Sequence, residues 1–420
     1  MMNLRSFGIG SSLVVALLAI ACSSASQRSG FATDKAPTEP GQGPGGIGGD
    51  SQVGDSIPTS ECGINNTGDG DPEADYDGDG YPLKNDCNEC NKTINKGARD
   101  IPGNGIDEDC SGTPDDEPES CDGATEIGDG YEAAAAMGLC KKSDGVSWGI
   151  INAKLVKPDG KKLTKLDGVG AASTFGTNKP REGSSLFVLS TGKAATFTAG
   201  GGGGLGGLVP PPSHGTPDGY PKESSSCTDV PDSPPSTKAY DGAALEVKIR
   251  VPSNAKSFSY QHFFLTEEFP RYVCSKYNDF FVTMMSPIPA GLPDGNIAFD
   301  SENNPIGVNS GLFRACKPGT YRIGDNGAGT QADREFACED GVAALKGTGL
   351  DKNKPTGDPG GGGTGWLTTT APVTPGEEIT LLFAVWDSGD GALDTTVLID
   401  DFKFSLEDSG TTATAPTDVK

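Results

Sequence analysis

Ala244-Leu-Glu-Val-Lys-Ile-Arg-Val251 places an apolar side chain at every second position, with Glu246, Lys248 and Arg250 between them. In an extended chain successive side chains point to opposite faces. Leu245, Val247, Ile249 and Val251 therefore line one face and the charges line the other, which is the pattern of a half-buried β-strand. The same reading extends to Trp148–Val156, Ser185–Leu189, Ser257–Phe264, Phe280–Met284, Glu378–Trp386 and Thr396–Ile399. Each is a short run of β-branched and aromatic residues bounded by turn residues. The 62 glycines and 31 prolines in 420 residues favour strands and turns over long helices. Many short strands without intervening helices predict a mainly β fold, a jelly-roll-like β-sandwich over residues 123–405. Short helices are expected at Glu132–Leu139 and Gly341–Lys346. The Gly/Pro-rich insertion at about 200–236 and the glycine tract at 355–365 are expected to be surface loops. Residues 406–420 are expected to form a disordered tail.

The N-terminus carries the other long apolar run. Arg5 precedes Leu13-Val-Val-Ala-Leu-Leu-Ala-Ile20, which is too short to span a bilayer as a mature helix. Residues 1–21 read as a secretion signal. Ala19-Ile-Ala-Cys22 resembles the lipobox of bacterial lipoproteins, which implies acylation at Cys22 and an exported protein held to a membrane by lipid. Ser23 implies outer-membrane or cell-surface retention by the same analogy. An ordinary cleaved signal beside an incidental cysteine is the alternative. Residues 22–60 are Ser, Gly, Pro and polar residues, a flexible tether.

Charge is distributed unevenly. The chain holds 33 basic and 58 acidic side chains, a formal charge of −25, which disfavours nucleic acid and anionic headgroups as partners and suits divalent cations. Residues 61–122 contain 18 of the acids and only 4 bases. This module has too few apolar residues for a core, so disulfides and metal are expected to replace one. Eleven cysteines leave ten once Cys22 is set aside: Cys62, Cys87, Cys90, Cys110, Cys121, Cys140, Cys227, Cys274, Cys316 and Cys338. In an exported chain these read as disulfides, with the pairing left open.

Within the module, Asp75-Tyr-Asp-Gly-Asp-Gly-Tyr-Pro-Leu-Lys-Asn-Asp86 fits a calcium loop at positions 1, 3, 5, 6 and 12. Asp75, Asp77 and Asp79 present carboxylates at alternate positions, Gly80 permits the sharp turn, the Tyr81 carbonyl falls at position 7, and Asp86 closes the loop. Leu83 at position 9 cannot ligate through its side chain. A solvated acidic loop is the alternative. Asn104-Gly-Ile-Asp-Glu-Asp109 precedes Cys110 as Asp86 precedes Cys87. A Cys87–Cys110 bridge would draw Asp107 and Asp109 toward the first cluster, to complete that site or form another.

Two families are resembled. Asp77-Gly-Asp-Gly80, Asp86-Cys87 and Ile101-Pro-Gly-Asn-Gly-Ile-Asp-Glu-Asp-Cys110-Ser-Gly112 resemble the MopE-type metal-binding motif of secreted bacterial proteins. That motif is named for a copper protein and so implies copper as an option. The residues argue for Ca2+ instead: the module has neither His nor Met, and copper favours imidazole, thiolate or thioether ligands. From Gly149 to about Phe404 the chain resembles the choice-of-anchor L domain. The matching blocks are Leu186-Phe-Val-Leu-Ser-Thr-Gly192, Phe258–Pro270 with Tyr277-Asn-Asp-Phe-Phe281, Asn296–Phe299 with Ile306–Asn309, and Trp386–Asp400. This resemblance implies a domain held to bacterial surfaces by varied anchors.

Glu267, Asp279, Asp390, Asp394 and Asp400, with Glu268 and Asp387, fall in these blocks and form a second candidate metal set. Strand-end acids that cap turns are the alternative. Phe269, Tyr272, Tyr277 and Trp366 are aromatic candidates for stacking on an extracellular glycan, against the alternative that they are core. No catalytic residue is expected. His214 and His262 are the only histidines, and neither has a triad pattern near it. Ser190-Thr-Gly-Lys193 lacks the companion motifs of the penicillin-recognising enzymes. Glu267 and Glu268, adjacent on a strand, would point to opposite faces. The leading reading is a calcium-binding surface lipoprotein with an adhesion or matrix-contact role toward a glycan or surface protein. A metal-sequestering lipoprotein is the other.

Overall fold

In the computed structural model the 244–251 segment is the inner part of a long strand between two partners. The structure describes residues 70–116, 121–123, 126–197, 213–228, 230, 236–325, 331–353 and 359–417. The expected signal peptide, the tether, Cys22 and Cys62 lie outside the described residues. The described strands are, in chain order, β1 (Gly149–Val156), β2 (Val169–Ala172), β3 (Leu186–Ser190), β4 (Ala239–Arg250), β5 (Ser257–Thr266), β6 (Phe280–Ser286), β7 (Ile306–Gly307), β8 (Gly319–Ile323), β9 (Ala332–Phe336), β10 (Gly362–Gly363), β11 (Leu367–Pro372), β12 (Glu378–Ser388), β13 (Thr395–Ser405) and β14 (Ala413–Pro416). Among the described residues one α-helix, α1 (Gly130–Ala135), stands before them, its first turn capped by the Asp129 carboxylate, and the expected 341–346 helix is a single 3-10 turn, Ala343–Leu345.

Two antiparallel sheets form a sandwich. One runs β1-β4-β12-β6-β7 and the other β14-β11-β5-β13-β3-β2, with β10 also on β5; β8 and β9 make a separate hairpin. Register places Leu381 beside Val247 and Phe383 beside Leu245. Their side chains meet Phe258, Tyr260, Phe264, Val397 and Ile399 of the facing sheet in one continuous core. Each such fully buried side chain stabilises the fold by about 1.5–3 kcal/mol.

The outer faces are covered too. Phe175, Leu345 and Leu350 close over Val188, Phe263 and Leu398, and Tyr220 packs on Phe280 and Trp386. This explains why Leu186–Leu189 shows no alternation, since it is buried on both faces.

Two expectations are corrected. Residues 359–365 are largely buried rather than a surface loop: β10 lies on Leu265 and Thr266 of β5. A side chain on Gly362 would collide with Phe269, at 2.7 Å. Only glycine lets the chain pass so close. The segment after Glu407 is not all tail either, because β14 pairs Ala413–Pro416 with β11. Both strands carry threonine, and the pair is tied by Thr369–Thr414 and Thr368–Thr417 hydroxyl contacts, each at 2.8 Å.

The acidic module packs against the sandwich. Asn254, in the β4–β5 turn, accepts from the Arg99 N–H at 3.1 Å and donates to the Arg99 carbonyl at 2.7 Å. Lys141 reaches Asp109 at 2.9 Å. Disulfides join Cys87–Cys110, Cys121–Cys140, Cys227–Cys274 and Cys316–Cys338, and Cys90 is also disulfide-bonded. Among the described residues no helix is long and apolar enough to cross a membrane.

Candidate metal centre

Asp75 organises the loop. Its Oδ1 accepts from Gly78 N at 2.7 Å and Asp79 N at 3.2 Å, and its Oδ2 from Gly80 N at 2.9 Å. Gly78 and Gly80 have φ of +76° and +97°, values open to glycine and strained for other residues. These turns bring the alternate acids to one side. Asp77 Oδ1 then takes Asp79 N at 3.1 Å, Asp79 Oδ1 takes Tyr81 N at 2.7 Å, and Asp86 Oδ1 takes Asn88 N at 2.6 Å.

A fifth acid, outside the twelve-residue register, enters the same space. Glu89 is fully buried, and its Oε2 accepts from Tyr76 N at 2.7 Å. Ligand oxygens of Asp75, Asp77 and Glu89 lie within 4.8 Å of one another, as do those of Asp77, Asp79 and Asp86. Asp77 belongs to both groups and joins them.

Each of Asp77, Asp86 and Glu89 spends one oxygen on a backbone N–H and holds the other buried with no partner: Asp77 Oδ2, Asp86 Oδ2 and Glu89 Oε1. None of the five acids forms an ion pair among the described residues. Burial pushes the Asp86 carboxyl up to about 7, against the pull of the Asn88 N–H, and neighbouring Asp79, Glu89 and Asp77 add to the rise. Burial raises Glu89 and Asp79 as well. Hard oxygens, negative charge and unfilled acceptors form a donor set suited to calcium, which takes six to eight oxygens at 2.3–2.6 Å.

Asp79 is braced from the second layer. Its Oδ2 accepts from Asn95 Nδ2 at 2.6 Å. The Tyr81 N–H serves Asp79, and its ring lies against Gly97, where a Cβ would overlap it.

Asp107 and Asp109 are placed otherwise than in a shared site. The Cys87–Cys110 bridge is present, yet neither residue joins the 75–89 group. Asp107 takes Ser111 N and Gly112 N, each at 2.9 Å, folding its own turn. Asp109 is neutralised by Lys141 and approaches Asp100 and Asp116. Asp100 accepts from Asp109 N and Asp116 N with its two oxygens. Ligand oxygens of Asp100, Asp109 and Asp116 lie within 4.8 Å of one another, a separate acidic group with Lys141 beside it.

In the sandwich the second candidate set divides. Asp400 takes Arg181 N at 2.5 Å and Asp401 N at 2.7 Å, a bracing role within β13. Asp390 Oδ1 takes Ala392 N at 3.1 Å in the loop before β13. Glu267 and Asp394 are linked backbone to backbone and through Asp394 N to Glu267 Oε2 at 3.2 Å. Asp279 is buried, accepting from Ser388 N at 3.0 Å and Thr395 Oγ1 at 2.6 Å. Of the aromatic candidates, Phe269 is core. Tyr272 and Tyr277 stay half-buried and meet edge to face at 5.5 Å.

Glu89 and Asn95 were not singled out from the sequence. The signal for Glu89 was Asp86-Cys-Asn-Glu89, an acid three residues beyond the loop's nominal end and two beyond a bridging cysteine.

The sequence pattern of the choice-of-anchor L domain matches residues 173–405. No curated protein matches the chain. Among solved structures, the enzymatically active domain of tailspike protein 4 from bacteriophage CBA120 is similar at 9% identity and a TM-score of 0.18, over 60% of this chain and 20% of that one. So distant a likeness bears on neither fold nor activity.

Proposed function

The chain belongs to the choice-of-anchor L domain family and is a surface-associated protein, and from that premise we propose that its acidic module is a calcium-binding element that orders the segment leading into the sandwich. The observation that carries this reading is the convergence of three buried, unpartnered carboxylate oxygens from Asp77, Asp86 and Glu89. Leaving such groups unfilled in a low-dielectric setting costs several kcal/mol, and a hard divalent cation removes that cost. Asp75 and Asp79 supply further oxygens, and water completes the shell. The role is structural, because a coreless module gains its folding free energy from the ion and the disulfides.

The export signal and Cys22 complete the proposal: a lipid-anchored protein whose sandwich makes adhesion or matrix contact with a glycan or surface protein. Tyr272 and Tyr277, with Arg271 and Lys276 stacked on them at 5.7 and 4.9 Å, are the surface offered for that contact. Supporting calcium over copper, the module's cysteines that are described are oxidised and it contains no His or Met.

The test is metal analysis of the purified mature protein, followed by calcium titration in the presence of copper. One calcium in the module, undisplaced by equimolar copper, is expected. Tight copper binding that survives excess calcium would replace this reading with metal sequestration.

A further inference from the structure

The last strand, β14, is placed apart from the strand that precedes it in the chain. It pairs with β11 alone, and β11 and β5 stand between it and β13. The chain therefore crosses the ends of two strands between Ser405 and Ala413, roughly 14 Å at the usual strand spacing. The Glu407 carbonyl is still held to the sandwich, accepting from the Ser257 hydroxyl at 2.7 Å. Asp408-Ser-Gly-Thr-Thr412 then turns on itself. Asp408 Oδ1 takes Gly410 N and the Ser409 carbonyl takes Thr411 N, each at 2.8 Å, with Gly410 at φ +71°.

Backbone pairing and hydroxyls hold β14 in place. Ala413, Ala415 and Pro416 are exposed, and none of its four side chains joins the apolar core. Thr414 alone turns inward, where its hydroxyl meets Thr369 at 2.8 Å and donates to the Ile297 carbonyl at 3.3 Å. Ordering the strand and its approach costs conformational entropy, and bonds of this kind exchange with water for little net gain. β14 is therefore a detachable element. β11 cannot stay bare when it leaves. Leu367, Thr369 and Ala371 are buried in the sandwich, and the polar backbone row along the vacated edge would be unpaired. A strand whose threonines match Thr368 and Thr369 fits that edge, and every copy of the chain carries one.

We propose that β14 is exchanged between copies of this chain, the β14 of one lying on the β11 of another, so that this sandwich edge is a self-association site. Exchange rebuilds each register pair and hydroxyl contact on both sides and forfeits none of them. Where many copies share one surface, their high local concentration favours the linked pair. The site is separate from Tyr272 and Tyr277 and does not depend on calcium in the acidic module.

Two measurements test this. A fluorescent peptide of residues 409–420 is added to the purified mature chain. It is expected to bind at one site per chain, and the same peptide carrying Thr414→Val about tenfold more weakly. Thr370 stands opposite Ala413 in the register, so chains carrying T370C are mixed with chains carrying A413C and oxidised. Disulfide-linked dimers with one of each are expected, about tenfold above those that either variant forms alone. The double variant, closing the bond within one chain, controls for the reactivity of the pair. The proposal is overturned if the wild-type chain does not take up the peptide, or takes up both peptides equally. It is overturned as well if the mixture yields no more linked dimer than the separate variants while the double variant closes.

Discussion

Asn95 donates to the Asp79 carboxylate at 2.6 Å. Its side-chain oxygen accepts from the Ser253 hydroxyl at 2.7 Å, in the turn between β4 and β5. Ser253 N also donates to the Gly97 carbonyl at 2.8 Å. One amide thus connects a candidate calcium ligand to the sandwich, so the two parts share the free energy of ion binding.

Replacing Asn95 with Ala should therefore weaken both. Loss of the side chain's hydrogen bonds with Asp79, Lys92, Gly97 and Ser253 is expected to cost about 1–3 kcal/mol of stability. Calcium affinity should fall by roughly tenfold, because Asp79 loses its brace. Calcium titration and denaturant unfolding of the same variant check this together. An unchanged affinity would show that the module binds its ion without help from the sandwich.

His262 gives a pH dependence of known sign. It is fully buried in β5, its Nε2 lies 2.9 Å from Thr369 Oγ1, and burial pushes the imidazole down to about 3. The unfolded chain takes up a proton below about 6.5 while the folded one does not. Its contribution is therefore complete above that pH and declines, by about 1.4 kcal/mol per pH unit, as pH falls toward 3. Buried acids with raised values act in the opposite sense, so the comparison must be against H262N. In chelator, the wild-type advantage over H262N should shrink by about 2 kcal/mol between pH 7.5 and pH 5. A constant difference would mean that His262 is not held neutral.

Gly362 reports on the covered edge of β5. With Phe269 Cγ 2.7 Å from where its Cβ would stand, Gly362→Ala should destabilise the sandwich by about 1–3 kcal/mol in denaturant unfolding. A neutral result would mean that β10 lifts away from Phe269 at little cost.

The strands that were legible carried their signal locally. Val247 and Ile249 alternate with charges, and Phe383 lies in a long β-branched and aromatic run, so each could be placed without its partners. The strands that were not legible depend on partners. β10 is two glycines that pair only because Phe269 and Leu265 lie beneath them, and β14 is a Thr/Ala edge strand held by β11. The same division runs through the metal centre. Asp75, Asp77, Asp79 and Asp86 follow a spacing set by one loop. Glu89 reaches the site only because the chain turns at Asn88, and Asp109 is withdrawn by Lys141, a residue 32 positions away. Spacing reveals what one turn brings together, and contacts between loops lie beyond it.

The central claim is that calcium orders residues 75–96 through the five acids from Asp75 to Glu89. Hydrogen exchange of the amides in that segment, with and without calcium, in the wild type and in Glu89→Gln, tests it most directly. Exchange should slow at least tenfold with calcium in the wild type, at Gly78, Asp79, Gly80 and Tyr81 above all, and stay unchanged in E89Q. Exchange that ignores calcium in the wild type, or slows equally in E89Q, would contradict the account.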